Sequence, residues 1–76
     1  ADITEELQRL GTHVERFREI LGGDAEVGRP LDFLLQEMLR EANTVGAKSN
    51  DTEIAHGVVE LKSDIERMKE QVQNLE

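Results

Sequence analysis

The stretch Gly28–Lys48, GRPLDFLLQEMLREANTVGAK, holds the most particular set of residues in the chain. Pro30 suits the first turn of a helix, where its missing N–H costs nothing. Indexed at about 100° per residue, Leu31, Leu34, Leu35, Met38, Ala42 and Val45 share one face. Gln36, Glu37, Arg40, Asn43 and Thr44 occupy the opposite face. Phe33 also projects to that polar side, where it fits insertion into a partner, although single exposed apolar residues are common. The pattern predicts a helix of about fifteen residues, closed by a turn at residues 46–50, GAKSN.

Before this stretch, Ile3, Leu7, Leu10, Val14, Phe17 and Leu21 recur at gaps of 4, 3, 4, 3 and 4. That is a heptad seam rather than a loose amphipathic stripe. Asp2 or Thr4, followed by Glu5 and Glu6, suits a helix start. Gly22 and Gly23 suit its end, since glycine readily takes the left-handed conformation there. Gly11 inside the helix costs about 1 kcal/mol relative to alanine, and it marks either a close approach by another helix or a tolerated defect. His13 lies beside the seam and lacks the convergent ligands a metal needs. Residues 24–28 form a short polar connector.

After it, Ile54, Val58, Leu61, Ile65, Met68, Val72 and Leu75 repeat the heptad gaps. Ser49, Asn50 or Asp51 can cap this helix, with Glu53 at capping-box spacing from Asn50. Such a helix is roughly 35–40 Å long at its usual rise, more than a fifteen-residue neighbour covers. Met68, Val72 and Leu75 are therefore expected to need another partner. The expected fold is all-α, an antiparallel three-helix arrangement with coiled-coil-like long helices.

Seventy-six residues make one small domain, whose core alone gives modest stability. The absence of cysteine excludes disulfides, thiolate metal sites and a cysteine nucleophile. No apolar run approaches the ~20 residues of a membrane span. The opening ADITEEL has neither a starter methionine nor a signal-peptide pattern. A soluble, cytoplasmic piece of a longer chain is expected. The net charge of −8 is spread along the chain and speaks against nucleic-acid binding by this piece alone, which normally needs a basic footprint.

Phosphate-binding glycine loops, the HExxH zinc motif and the nucleophile elbow are all absent. What remains are carboxylate pairs one turn apart, Glu37/Glu41, Glu60/Asp64 and Glu66/Glu70. Like charges at this spacing repel, and either a divalent cation or ordinary ion pairs can offset that. Arg40 stands three residues from Glu37 and Arg67 three from Asp64. Glu37 and Glu41 are the best placed, because Arg40 and Asn43 share their helix. A carboxylate–arginine–amide cluster can hold a phosphodiester through a bridging metal. Interhelical polar networks have the same sequence pattern.

GRPLDFLLQEMLREANTVGAKS followed by VVELKSDIERMKEQVQNLE resembles the C-terminal region of the bacterial YicC/YloC family. The family pattern G-R-x-L-D-F-L-x-Q-E-x-x-R-E-A-N-T falls on Gly28, Arg29, residues 31–34, Gln36, Glu37 and residues 40–44. Its later parts fall on Lys48, residues 59–62, Glu70, Gln71, Gln73, Asn74 and Glu76. The first helix is similar to the one preceding the signature. Pro30, Leu39, Ala47 and Lys69 depart from the pattern, and lysine cannot reproduce arginine's bidentate fork.

The resemblance implies an endoribonuclease, dependent on a divalent metal such as magnesium or manganese, with a larger N-terminal domain and a ring-like hexameric assembly. It implies RNA as partner, a homo-oligomer, and no role for membranes or DNA. On that reading Glu37, Arg40 and Glu41 are the catalytic candidates. Glu37, Glu41 and Glu60 are the metal candidates, and Arg29, Asn43, Lys48 and Lys62 the RNA contacts. The alternative is a non-catalytic helical oligomerisation module, in which these residues bond helix to helix.

Overall fold

The computed structural model describes residues 2–23 and 26–75. Residues 24 and 25 of the expected connector, and Glu76 of the family pattern, lie outside the described residues. Three helices follow in order, α1 (Thr4–Leu21), α2 (Gly28–Lys48) and α3 (Thr52–Gln73). Asp2 Oδ1 accepts from the Thr4 backbone N–H at 2.9 Å, opening α1. Asp51 opens α3, accepting from the N–H groups of Glu53 at 2.8 Å and Ile54 at 3.1 Å. Of the three cap candidates, Asp51 wins because its carboxylate reaches two free N–H groups of the first turn.

α1 ends at Gly22 without the expected left-handed glycine: Gly22 has φ −82° and its N–H donates to Arg18 O at 3.1 Å. No described glycine has positive φ. α2 has 21 residues, not about fifteen, so the turn into α3 is confined to residues 49–51. Gly46 does not break it. A Cβ built there would stand 3.3 Å from Val58 Cγ1, so the glycine lets α2 and α3 approach closely. At this length α2 covers almost all of the 22-residue α3. Val72 is accordingly buried and Met68 partly buried, and Leu75 alone of the three residues expected to need a partner remains exposed.

The predicted apolar face of α2 is the core: Leu31, Leu34, Leu35, Met38, Ala42 and Val45 are all buried. Ile65 and Val72 of α3 pack with them, and Leu10, Phe17 and Ile20 of α1 close the other side. Both flanking helices run antiparallel to α2, as the pairing of Lys48 with Glu6 and of Gly46 with Val58 requires. α1 and α3 do not approach each other within 8 Å at Cα. The molecule, 41 × 21 × 14 Å along its principal axes, is an open trough with α2 as its floor.

The α1 seam is a correction. Leu7, Val14 and Leu21, three of its six expected members, are 53%, 40% and 55% exposed. The residues turned toward α2 are Ile3, Glu6, Leu10, His13, Phe17 and Ile20, which carry the same heptad spacing one register over. Glu6 enters this seam because Lys48 and Arg9 neutralise it there. Leu7 and Leu10 then face Ile54, Val58 and Leu61 across a groove of about 260 Å³ floored by Ala42 and Val45. Phe17 and Leu21 face Met68 and Leu75 across a second, of about 290 Å³, at the other end of the trough.

Candidate functional site

The side of α2 turned away from the trough carries an open hollow of about 560 Å³, lined by α2 residues alone, Gln36, Glu37, Arg40, Asn43 and Thr44 among them. Heptad burial on the other side leaves these positions uncovered. Arg40 Nη2 donates to Glu37 Oε1 at 2.8 Å, which orients both groups across this face. Asn43 is exposed beside them. The expected carboxylate–arginine–amide cluster is thus brought together on one helix surface.

Glu41 points elsewhere. It is 2% exposed, and its Oε2 accepts from Arg9 Nε of α1 at 2.9 Å, with Arg40 Nη2 at 3.9 Å. Lys48 reaches back across the same interface, Nζ donating to Glu6 Oε2 at 2.7 Å. Glu6 is also 2% exposed, and Arg9 Nη2 lies 3.7 Å from its Oε2. The hydrogen bond from Lys48 holds the Glu6 carboxyl below the usual carboxylate range. The same bond raises Lys48, and the bond to Glu41 raises Arg9. Buried carboxylates without such partners would be strongly destabilising. Glu41 and Lys48 therefore fasten α2 to α1.

Glu6 and Arg9 were not legible as partners of these residues from composition. The signal was present in spacing: Leu34, Met38, Glu41, Val45 and Lys48 form a second heptad line on α2, facing the Ile3–Glu6–Leu10 line on α1.

The remaining candidates are spread further. Arg29 is exposed near the start of α2, close to Asp32, Phe33 and Gln36. Glu60 and Lys62 are exposed on α3, Glu60 beside Ser63, Asp64 and Arg67, with Arg67 bonded to Asp64. Among the described residues no group of three or more His, Asp or Glu converges to hold a metal ion. Glu37 and Glu41 each give an oxygen to an arginine, and Glu60 belongs to a different helix. These three residues do not make a closed donor set within this chain.

Fold and site together define an all-α domain whose central helix bonds inward on one side and presents ordered polar groups on the other. The family model described as "Endoribonuclease YicC-like, C-terminal" matches residues 1–76, and the chain belongs to that family. It is 46% identical over 76 residues to the "Probable endoribonuclease YicC" of Clostridioides difficile (strain 630), covering all of this chain and 26% of that protein. It is 51% identical over 75 residues to the protein of the same description from Haemophilus influenzae, covering 99% of this chain and 26% of that one. The chain thus spans about a quarter of the length of the curated relatives it matches. No helix among the described residues is long and apolar enough to cross a membrane.

Proposed function

We propose that this chain is the assembly and RNA-facing domain of a cytoplasmic endoribonuclease, with the outer face of α2 turned toward RNA. The observation that carries this reading is the uncovered polar face itself, an oriented Glu37–Arg40 pair with Gln36 and Asn43 at its sides. In a chain belonging to an endoribonuclease family, those groups match what a phosphodiester needs: a planar guanidinium for the phosphate and amides for neighbouring oxygens or bases. Arg29 and Lys62, which make no ion pair with a described residue, extend the cationic contacts. Lys48 contributes less directly, because it is engaged with Glu6.

We infer the division of roles from exposure and pairing. Glu37, partly exposed and with one oxygen on Arg40, is the carboxylate that acts on substrate or water, and Arg40 stabilises negative charge on phosphate. Glu41 positions Arg9 and Arg40 from beneath. A divalent cation, which supplies Lewis acidity and a more acidic water when bound, would draw on Glu37 together with donors from outside this chain.

Assembly is the second half of the proposal. Leu7, Val14 and Leu21 form a heptad-spaced stripe that the described residues leave largely exposed. Added Cβ atoms at Gly11 and Gly57 meet nothing within 4 Å, so no neighbour among the described residues requires those glycines. A helix from a second copy lying in the trough accounts for both. The non-catalytic alternative is favoured by the engagement of Glu41 and Lys48 and by the −8 charge.

The discriminating experiment places Glu37→Gln and Arg40→Gln in the full-length protein and measures RNA cleavage and oligomer size together. The proposal expects cleavage to fall about a hundredfold or more with size unchanged. Unchanged cleavage would leave only the module reading.

A further inference from the structure

Toward the start of α2 the outer face runs into a separate open hollow of about 420 Å³. Arg29, Asp32, Phe33 and Gln36 of α2 and Val72 and Gln73 of α3 line it. Two of these side chains are in energetically unfavourable settings as they stand. Phe33 is 63% exposed, the most exposed large apolar side chain of α2. Asp32 Oδ1 is shielded from water and has no hydrogen-bond partner. An aromatic face lacking a cover and a carboxylate lacking a donor are relieved together by one kind of ligand, a flat heterocycle with N–H groups along its edge.

We propose that this hollow takes one unstacked nucleobase, guanine, of a single-stranded RNA, stacked on Phe33 with its N1–H and N2–H groups donated to Asp32. The proposal rests on the RNA-facing reading of α2. Guanine alone among the four bases presents two adjacent donors on its pairing edge, matching the two oxygens of a carboxylate. Adenine and cytosine place a ring-nitrogen acceptor beside their amino group, which the carboxylate repels, and uracil offers one N–H between two carbonyls. With Oδ1 shielded, binding must swing the Asp32 side chain until both oxygens face the base's pairing edge, a movement its soft torsions allow. Gln36 and Gln73 supply amide N–H groups for guanine's O6 and N7 acceptors.

Charge separates this occupant from a protein side chain. An arginine or lysine from a protein partner would also satisfy Asp32 and stack on Phe33. Arg29, exposed on the same lining and without an ion pair among the described residues, would repel it. A nucleotide is suited to both charges, its neutral base meeting Asp32 and its phosphate meeting Arg29. Arg29, Phe33, Gln36 and Arg40 are spaced four, three and four residues apart, one stripe along α2. This stripe carries the strand on toward Glu37.

The test uses the full-length protein and fluorescent 2′-O-methyl octamers of uridine carrying one central guanine, inosine or adenine, read by anisotropy. The guanine oligomer should bind about tenfold more tightly than the adenine or inosine ones, inosine lacking the N2 amino group. Phe33→Leu should weaken the guanine oligomer about tenfold and Phe33→Trp should restore it, within the range of a base–aromatic stack. Asp32→Asn should erase the difference between guanine and adenine. Circular dichroism and sedimentation of each variant accompany the titrations. If all three oligomers bind alike, or if Phe33→Leu changes oligomer size while every RNA affinity stays level, the guanine site is overturned and the hollow belongs to a protein contact. Failure of the wild type to bind any oligomer would overturn the RNA-facing reading as well.

Discussion

Glu6 shows how one side chain can be read as surface filler and turn out to be structural. In sequence it is one of two glutamates in a helix's first turn, where the macrodipole welcomes them. In the structure it is buried and held by Lys48 at 2.7 Å. Because its folded carboxyl titrates below the ordinary 4.5, its contribution is present above that value and is lost as pH falls through the lower folded one. Lys48 is raised above its ordinary 10.5, so its contribution is complete below that and is lost as pH rises through the raised value. Stability should therefore be level through neutrality with an acid and an alkaline edge. Urea unfolding at about pH 5 and about pH 3 should show a steeper acid loss in the wild type than in Glu6→Gln. An identical acid limb in the two proteins would mean the Lys48 contact does not persist in solution. The candidate site was legible to the same degree. Glu37, Arg40 and Asn43 declared themselves by residue type and face, whereas Glu41 did not, because a carboxylate aimed at solvent and one aimed at a partner arginine have identical spacing.

Among the helices, α2 was the most legible, and its six predicted core residues are all buried. Its periodicity is unambiguous because it packs on two neighbours and displays polar groups elsewhere. Its end was misjudged at Gly46, where glycine's cost in a helix is outweighed by the approach of Val58. α1 was read one register off because two heptad lines share Ile3, Leu10 and Phe17, and leucine at the exposed alternative looks better than glutamate at the buried one. The two classes of apolar residue should differ sharply in mutation. Leu35→Ala, at a fully buried position, should cost about 2–5 kcal/mol. Leu21→Ser should change the stability of the single chain by only about 0.5 kcal/mol while weakening self-association. Chemical denaturation of dilute samples, paired with sedimentation of concentrated ones, separates the effects. The glycines make a second contrast. In dilute, dissociated samples Gly57→Ala faces open space and should gain roughly 0.5–1 kcal/mol, whereas Gly46→Ala must displace Val58 and should gain less or lose. Equal gains would show that Val58 moves aside at no cost.

As a whole molecule, the chain leaves a trough lined with apolar side chains along an axis of 41 Å. Self-association of the 76-residue chain, at least to a dimer, is the expected outcome. Its melting temperature should then rise with protein concentration, as linkage requires. A concentration-independent melt with monomeric sedimentation into the high micromolar range would refute this. The charge of −8 sets a further expectation: the isolated chain should show little or no ribonuclease activity, since long-range repulsion keeps phosphates away. Metal-dependent cleavage by the purified chain would contradict it.

That α1 and α3 keep their Cα atoms more than 8 Å apart, each resting mainly on α2, also governs how the domain comes apart. Three helices arranged in a closed triangle open together, because removing one strips both others. Here either outer helix can peel away while the remaining pair keeps its interface. Amide hydrogen exchange should accordingly grade across the chain, fastest at the ends of α1 and slowest along the middle of α2, which must lose both neighbours before it is released. The place left by a departing α1 then has the right charges for another molecule's α1, with Lys48 and Glu41 able to pair with its Glu6 and Arg9.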